Sequence, residues 1–350
     1  MPKVTWNEEL RLLVKVSRFY YEDALNQDAI TARLGLSRSK VSRMLAQARE
    51  MGIIQISVVP PDQLFTDLES RLEQRFGLLE AMVVEAPPAE TQEAVSRAIG
   101  TAAAGFLTRA VGPRSTVGFA WGSTLYHLAA GLAPHHLPDV QVVQIIGGLG
   151  PPDADIHATE LCRHLSRALG CRMALLPVPG IVADERTREA LLSDVHVQRA
   201  VQAFDHLDLA FVGVGAPTPD SVVRRDGSII SQAEMDGLLR RGAVGDIALQ
   251  FFDAEGRAVP SDISDRIIGI TLDQLKRTPR VVGVSGGPDK LAALQAALGG
   301  GLINVLITDS VTAEWLLEQV PSGVGDAPGA NARAGRSPAV AAGQVAVSHG

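Results

Sequence analysis

Between residues 80 and 320, short apolar runs alternate with amphipathic segments, and this alternation constrains the fold more than any other feature. The runs have the length of strands and are apolar on both faces, which is typical of strands buried between two layers of helices. We predict strands at 81–84, 116–120, 140–146, 172–175, 209–214, 247–252, 267–270, 281–284 and 304–308. The helices between them are predicted at 90–108, 124–131, 156–169, 185–192, 195–204, 232–240, 290–298 and 310–318. The pattern therefore predicts an α/β domain with a mostly parallel sheet covered on both faces.

The charge is divided unequally along the 350 residues. Residues 1–59 carry nine Lys and Arg against six Asp and Glu, a net charge of +3. The rest of the chain carries 23 Lys and Arg against 33 Asp and Glu, a net charge of −10. A small basic segment ahead of an acidic body indicates that only the first segment is suited to bind a polyanion.

The basic segment has the pattern of a helix–turn–helix. A short helix after residues 26–28 ends at Gly35, and Ser37 is placed to cap the next helix, which runs to about residue 51. That second helix begins with short and basic side chains, as a helix entering the DNA major groove requires. The candidate DNA contacts are Gln27, Thr31, Ser37, Arg38, Ser39, Lys40, Ser42 and Arg43. The alternative is a generic helical hairpin with a solvated basic face.

Two further segments follow the basic helix. Residues 53–59 form a β-like run that would suit a wing. Residues 64–76 predict a linker helix with a narrow apolar seam, which can pack on its own domain or on a partner helix. We therefore place a DNA-binding domain at 1–60, a linker helix at 61–79, an effector domain at 80–320 and a disordered tail at 321–350.

The stretch LNQDAITARLGLSRSKVSRMLAQAREMGIIQISV resembles the DNA-binding head of the SorC family, the DeoR-like sugar-binding transcriptional regulators. Downstream, VGFAWGST, GAVGDI and VVGVSGGPDKLAALQAALGGGLINVLITDSVTAEWLL are similar to the effector domain of the same family. The resemblance covers roughly residues 8–320. It implies a Rossmann-like domain related to sugar-phosphate isomerases, a phosphorylated sugar or sugar derivative as effector, and double-stranded operator DNA as partner. It also implies a homo-oligomer, commonly a tetramer.

Three glycine-containing loops at the ends of predicted strands supply candidate effector contacts, because ligands of open α/β sheets bind at that edge. The first opens a helix with free amides and two hydroxyl groups, which suits a phosphate, although an ordinary strand-to-helix turn has the same form. In the second, Lys290 is placed to neutralise a phosphate, or it is merely solvated. In the third, Asp246 is placed to accept hydrogen bonds from the hydroxyl groups of a sugar, or it only forms a turn. The candidates are Gly118, Trp121, Gly122, Ser123, Thr124, Asp246, Gly286, Gly287 and Lys290.

The glycine-rich turns at 147–150 and 213–217 are weaker candidates for the same crevice, and Asp309 is expected to cap a helix rather than touch a ligand. His157, Glu160 and His164 share one face of a predicted helix, but nothing else supports a metal site, so we expect no metal and no cofactor. The two cysteines, Cys162 and Cys171, are expected to fill the core.

Three functions are compatible with these features. The first is a transcriptional regulator whose effector changes operator binding. The second is a sugar-phosphate isomerase-like enzyme with an accessory DNA-binding head. An enzyme needs an acid–base pair, and the three loops hold no histidine beside Asp246, so we expect no enzymatic activity. The third is a DNA-binding protein that no longer responds to ligand, which the intact Ser123, Thr124 and Lys290 argue against. Residues 115–138 carry no charged side chain but are broken by glycine and proline, so we expect a soluble, cytoplasmic protein without a membrane partner.

Overall fold

The computed structural model describes residues 6–54, 64–87, 91–148, 158–218 and 230–319. The chain divides into two compact units, with the boundary between Leu64 and Phe65. No helix among the described residues is long and apolar enough to cross a membrane.

The smaller unit is built from three helices, α1 (Trp6–Tyr21), α2 (Gln27–Leu34) and α3 (Arg38–Glu50). Asn26 caps α2, since its Oδ1 accepts a hydrogen bond of 2.8 Å from the amide of Ala29. Gly35 ends that helix with a φ of 63°, a left-handed conformation that favours glycine. Ser37 caps α3, because its hydroxyl oxygen accepts a hydrogen bond from the amide of Lys40. Leu13, Val16, Ile30, Val41, Met44, Leu45 and Ala48 form the core.

The larger unit holds a seven-stranded, wholly parallel sheet in the order β1-β9-β8-β5-β2-β3-β4. Its strands are β1 (Glu80–Val84), β2 (Thr116–Phe119), β3 (Gln141–Gln144), β4 (Arg172–Ala174), β5 (Leu209–Val212), β8 (Arg280–Val284) and β9 (Val305–Asp309). A separate antiparallel hairpin pairs β6 (Gly245–Ile247) with β7 (Gln250–Phe252). The predicted parallel α/β sheet is confirmed.

The helices of this unit are α4 (Thr66–Phe76), α5 (Gln92–Ala110), α6 (Ser123–Ala130), α7 (Ala158–Leu169), α8 (Glu185–Leu192), α9 (Val195–Gln202), α10 (Gln232–Arg240), α11 (Leu272–Arg277), α12 (Leu291–Gly299) and α13 (Ser310–Glu318). Short 3-10 turns lie at Ala203–His206, Ser264–Arg266 and Pro288–Lys290. Buried aliphatic side chains from the sheet and its helices form one continuous core, which includes Cys162.

Helix α4 packs its apolar seam on its own domain. Leu72 is fully buried. Two carboxylates of the same helix accept hydrogen bonds from amide groups of the edge strand β1. Glu73 Oε1 accepts from Ala81 and Glu69 Oε1 from Val83, each at 2.9 Å. The helix therefore covers the edge of the sheet, which would otherwise present unpaired amides.

Two predictions about elements were wrong, and one helix was missed. The run 247–252 is a hairpin rather than one strand, because the chain reverses at Ala248 and Leu249. The run 267–270 forms only isolated bridges, from Ile267 and Gly269, and no strand. Helix α11 was not predicted. The predicted wing lies largely outside the described residues, as do the tail at 321–350 and His157.

Candidate functional sites

The topology of the large domain fixes where a ligand crevice can form. From β2 the chain adds β3 and β4 on one side, and it then returns to place β5 on the other side of β2. The loops that leave β2 and β5 therefore diverge, and such a switch point is the usual ligand crevice of an open α/β sheet. A cavity of about 240 Å³ opens there. It is lined by loops after β2, β5 and β8, by the β6–β7 hairpin and by the first turns of α5.

The first wall of the cavity is the start of α6. Gly122 precedes the helix with a φ of 124°, and no side chain caps the first turn. Ser123 and Thr124 follow, half-exposed, and Trp121 lines the cavity beside them. Uncapped amides at a helix N-terminus carry partial positive charge, and they suit an anionic group.

Lys290 lines the cavity from the end of the 3-10 turn Pro288–Lys290, immediately before α12. Burial lowers the pKa of its ammonium group, while the nearby carboxylates of Asp246 and Asp289 oppose that shift. The side chain is thus a cation held in a partly desolvated place, where its attraction to an anion is stronger than in water.

Asp246 faces the same cavity from β6 and is only 7% exposed. Burial raises the pKa of its carboxyl group, and the charge of Lys290 and the Leu249 amide act in the opposite direction. That amide donates to Asp246 Oδ2 at 3.1 Å. A side chain at Gly215 would overlap the carboxylate, so the two backbones can pair only because residue 215 is glycine.

The turn beside Asp246 is strained. Ala248 and Leu249 have φ values of 52° and 64°, and neither is a glycine or asparagine. Such a two-residue hairpin turn normally takes Asn-Gly, and each L residue in this conformation costs roughly 1 kcal/mol or more. Ala248 lines the cavity, so the strain is located at the candidate site.

Three expected contacts do not line the cavity and have packing roles. Gly118 lies within β2, where a Cβ would come within 2.7 Å of the Ile145 side chain. Gly287 donates its amide to Asp309 Oδ2 and to Thr312 Oγ1, at 3.1 and 2.8 Å. Gly286 packs so closely that a Cβ would be 2.6 Å from Ile99. Asp309 caps α13, as expected.

Other residues line the cavity without having been predicted as contacts. Gln92 and Ser96 come from α5, and Ser285 follows β8. The weak candidate turn after β5 does line the cavity, through Gly213, Val214, Gly215 and Ala216. No sequence signal marks Gln92, because its place depends on how α5 crosses the sheet. Among the described residues that line the cavity there is no histidine.

The exposed beginning of α3 carries the candidate DNA contacts. Ser37, Arg38, Ser39, Lys40, Ser42 and Arg43 are all exposed. Val41 and Leu45 are buried behind them and hold the helix on the three-helix core. Gln27 is half-buried at the start of α2. The Thr31 hydroxyl oxygen is buried without a hydrogen-bond partner among the described residues, which places it away from solvent.

Comparison with known proteins gives the family. The model described as "Putative sugar-binding domain" matches residues 63–318. The deoxyribonucleoside regulator of Bacillus subtilis is 32% identical over 313 residues, which are 89% of this chain and 99% of that protein. The sorbitol operon regulator of Klebsiella pneumoniae is 31% identical over 319 residues, which are 89% of this chain and 99% of that protein. The chain belongs to the SorC family of transcriptional regulators.

Solved structures agree with this membership of the SorC family. The full-length sorbitol operon regulator SorC from Klebsiella pneumoniae matches with a TM-score of 0.69 and 30% identity, covering 88% of this chain and 99% of that chain. A DeoR family transcriptional regulator from Listeria monocytogenes matches with a TM-score of 0.67 and 30% identity, covering 72% and 98%. The full-length match includes both units, so the fold of a helix–turn–helix unit with a Rossmann-like effector domain is shared with the family. These relatives are named as regulators, not as enzymes.

Proposed function

We propose that this chain regulates transcription by binding operator DNA through α3, and that a phosphorylated sugar in the cavity of the large domain changes that binding. One observation carries the choice of effector. The uncapped start of α6, the cation of Lys290 and the carboxylate of Asp246 line one cavity at the switch point of the sheet. The start of α6 and Lys290 suit the negative charge of a phosphate ester. The carboxylate of Asp246 suits the hydroxyl groups of a sugar, from which it can accept hydrogen bonds.

The size of the cavity favours a small effector. At about 240 Å³ it is below the range of about 300–1,000 Å³ in which drug-sized ligands bind. Its polar groups come from four separate loops and from α5, so a compact molecule with several hydroxyl groups can contact most of them at once.

The DNA half of the proposal is supported by the exposed basic residues of α3. Arg38 and Arg43 extend from the first turns of a helix that Ser37 caps. Arginine contacts guanine edges or phosphates, and the small serines between them let the helix approach the groove. Gln27 is proposed to contact a phosphate from the start of α2.

The link between the two functions is proposed to run through α4, which follows the DNA-binding unit in sequence and packs on the effector domain. An effector that prefers one arrangement of the domain shifts the population of arrangements, and with it the placement of the paired heads. This requires at least a dimer, and we expect a homo-oligomer, commonly a tetramer as the family resemblance implies.

The first test is a thermal-shift screen of the purified protein against phosphorylated sugars and their unphosphorylated parents. A ligand of the folded state raises the midpoint of unfolding. We expect one phosphosugar to raise the midpoint selectively, and the variant Lys290→Met to need a higher concentration of it for the same rise. Stabilisation by free sugars alone would contradict the phosphate assignment. The matched lysine control is Lys276→Met on α11, which should respond to the phosphosugar as the wild type does.

A further inference from the structure

Helix α13 joins the loop that carries Lys290 to the linker helix α4. The beginning of α13 holds that loop through hydrogen bonds, and the end of α13 is held by Arg75 of α4. The helix spans Ser310–Glu318, so about 13 Å of rigid helix separate the two contacts. All of these residues belong to the large domain.

The contact at the cavity end of α13 is a chain of buried hydrogen bonds. The Lys290 amide donates to the carbonyl oxygen of Gly287 at 3.0 Å. The Gly287 amide in turn donates to Thr312 Oγ1 and to Asp309 Oδ2, at 2.8 and 3.1 Å. Thr312 and Asp309 are 1% and 2% exposed. A shift of the Lys290 loop therefore displaces the start of α13 or breaks buried hydrogen bonds, which is costly.

Close packing removes slack from the same contact. A Cβ at Gly286 would lie 2.3 Å from Asp309 Oδ2 and 2.6 Å from the Ile99 side chain. Gly287 has a φ of 93°, a conformation that strains any other residue. The loop thus lies directly on the beginning of α13, and such close-packed contacts transmit a displacement rather than absorb it.

The contact at the other end of α13 is made by one arginine. Arg75 Nη1 donates to the carbonyl oxygen of Leu317 at 2.8 Å, and Nη2 donates to that of Gln319, the first residue after the helix. Carbonyl groups at a helix C-terminus lack partners within the helix and carry partial negative charge, which a guanidinium group matches. Leu72, one turn earlier on α4, is fully buried in the core of the domain. Arg75 thus fastens α4 to the end of α13.

We propose that Arg75 couples the effector cavity to the DNA-binding unit by transmitting movement of α13 to α4. This inference rests on the proposed function and deepens it, because it names the residue through which the effector regulates DNA binding. An effector that displaces the Lys290 loop moves α13, and Arg75 carries α4 along. Arg75 is a positioning residue, since it neither lines the cavity nor belongs to the DNA-binding unit. Loss of its hydrogen bonds should leave both binding sites intact and weaken the communication between them.

The test measures the coupling factor, which is the factor by which a saturating sugar phosphate changes the operator dissociation constant. The probe is the hexose or pentose phosphate that raises the unfolding midpoint most, and the DNA is a fluorescent operator selected from genomic fragments. Residues that carry coupling change it by about 2- to 30-fold. A wild-type factor of about tenfold should therefore fall to about threefold or less in Arg75→Met.

Two controls show that the loss is one of communication. The sugar phosphate affinity of the DNA-free protein and the operator affinity of the effector-free protein should stay close to the wild-type values in Arg75→Met. Arg71→Met, an exposed change on the same helix, should keep the wild-type coupling factor. Arg75→Lys keeps the charge and a donor for one of the two carbonyl groups, so it should recover part of the coupling.

Thr312→Val opens the link at its other end. It removes the hydroxyl oxygen that accepts the Gly287 amide, so it should lower the coupling factor as well. The double variant with Arg75→Met should lose little more coupling than either single variant, because both changes interrupt one route. If Arg75→Met does not fold, Thr312→Val takes its place in the same comparison.

The outcomes separate this inference from the proposed function. A wild-type coupling factor in Arg75→Met would overturn the role of Arg75 and leave the proposed function in place. Losses of affinity for the sugar phosphate and for the operator in the separate titrations, with the coupling factor unchanged, would also overturn it, because they would indicate a structural role only. If no sugar phosphate changes operator binding in the wild type, the proposed function is refuted and this inference falls with it.

Discussion

Replacing Lys290 by methionine isolates the contribution of one charge to effector binding. The ammonium group of Lys290 is largely buried in the cavity, with Asp246 and Asp289 as its charged neighbours. Methionine keeps most of the apolar stem of lysine, so packing in the cavity is largely preserved. What the variant loses is the charge and the hydrogen-bond donors that we propose bind the phosphate.

The expected loss follows from the energy of a hydrogen bond to a charged group, about 1.5–3 kcal/mol. At about 1.4 kcal/mol per factor of ten, the affinity for a phosphate ester should fall about 10- to 150-fold. The unphosphorylated parent does not use this bond, so its affinity should change far less. Lys290→Arg keeps the charge and should recover part of the loss.

The assay is titration calorimetry for the phosphosugar, with the free sugar measured by competition against it, on the wild-type protein, Lys290→Met and Lys276→Met. Lys276 lies exposed on α11 and does not line the cavity, so its variant should bind both ligands as the wild type does. Equal losses for the phosphosugar and the free sugar in Lys290→Met would contradict a phosphate contact, because they would mean that the lysine only shapes the cavity.

Three other predictions concern different parts of the account. Arg38→Ala and Arg43→Ala should each weaken operator binding, with unchanged circular dichroism, and each lost phosphate contact should lower the salt dependence of log K by about one unit. Arg49→Ala, in the last turn of α3, should change neither quantity. Unchanged operator affinity in both variants would exclude these two residues from the interface. Because burial lowers the pKa of Lys290, affinity for the phosphosugar should begin to fall at a pH below the ordinary lysine pKa, although the phosphate is already dianionic above about pH 7. Calorimetry between neutral pH and the ordinary lysine pKa should show no such fall in Lys290→Arg, and a fall of the same size in that variant would assign the effect to another group. Gly215→Ala should lower the free energy of unfolding by roughly 1–3 kcal/mol and abolish effector binding, because the new methyl group would overlap the Asp246 carboxylate. Denaturant unfolding measures the first effect. Gly105→Ala in α5, where a methyl group meets open space, is the matched control.

The parallel sheet was predictable because its strands are buried on both faces and are written as continuous apolar runs. The helix–turn–helix was predictable because Gly35 and Ser37 act through local backbone chemistry. The β6–β7 hairpin was not, since its turn is made by Ala248 and Leu249, which carry no turn signal. Their strained conformation is held by tertiary contacts, including the hydrogen bond from the Leu249 amide to Asp246.

The candidate site was only partly predictable for a related reason. The start of α6 and Lys290 come after β2 and β8, so the topology of the parallel sheet brings them to one edge. Asp246 reaches the same cavity from β6, in the separate hairpin. Glycine-rich loops, by contrast, look alike whether they bind a phosphate or allow close packing. Gly118 and Gly287 make close packing contacts with side chains of the domain. Gln92 lies far from these loops in sequence and reaches the cavity only through the packing of α5.

We propose that one small molecule in this cavity changes the affinity of α3 for DNA. The direct measurement is fluorescence anisotropy with an operator selected from genomic fragments, titrated with and without the phosphosugar found in the thermal screen. We expect saturating phosphosugar to change the operator dissociation constant by about tenfold or more, in line with typical allosteric couplings of about 5- to 150-fold. The variant Lys290→Met should need a far higher concentration for the same change. An operator affinity that stays the same at saturating phosphosugar would contradict the claim.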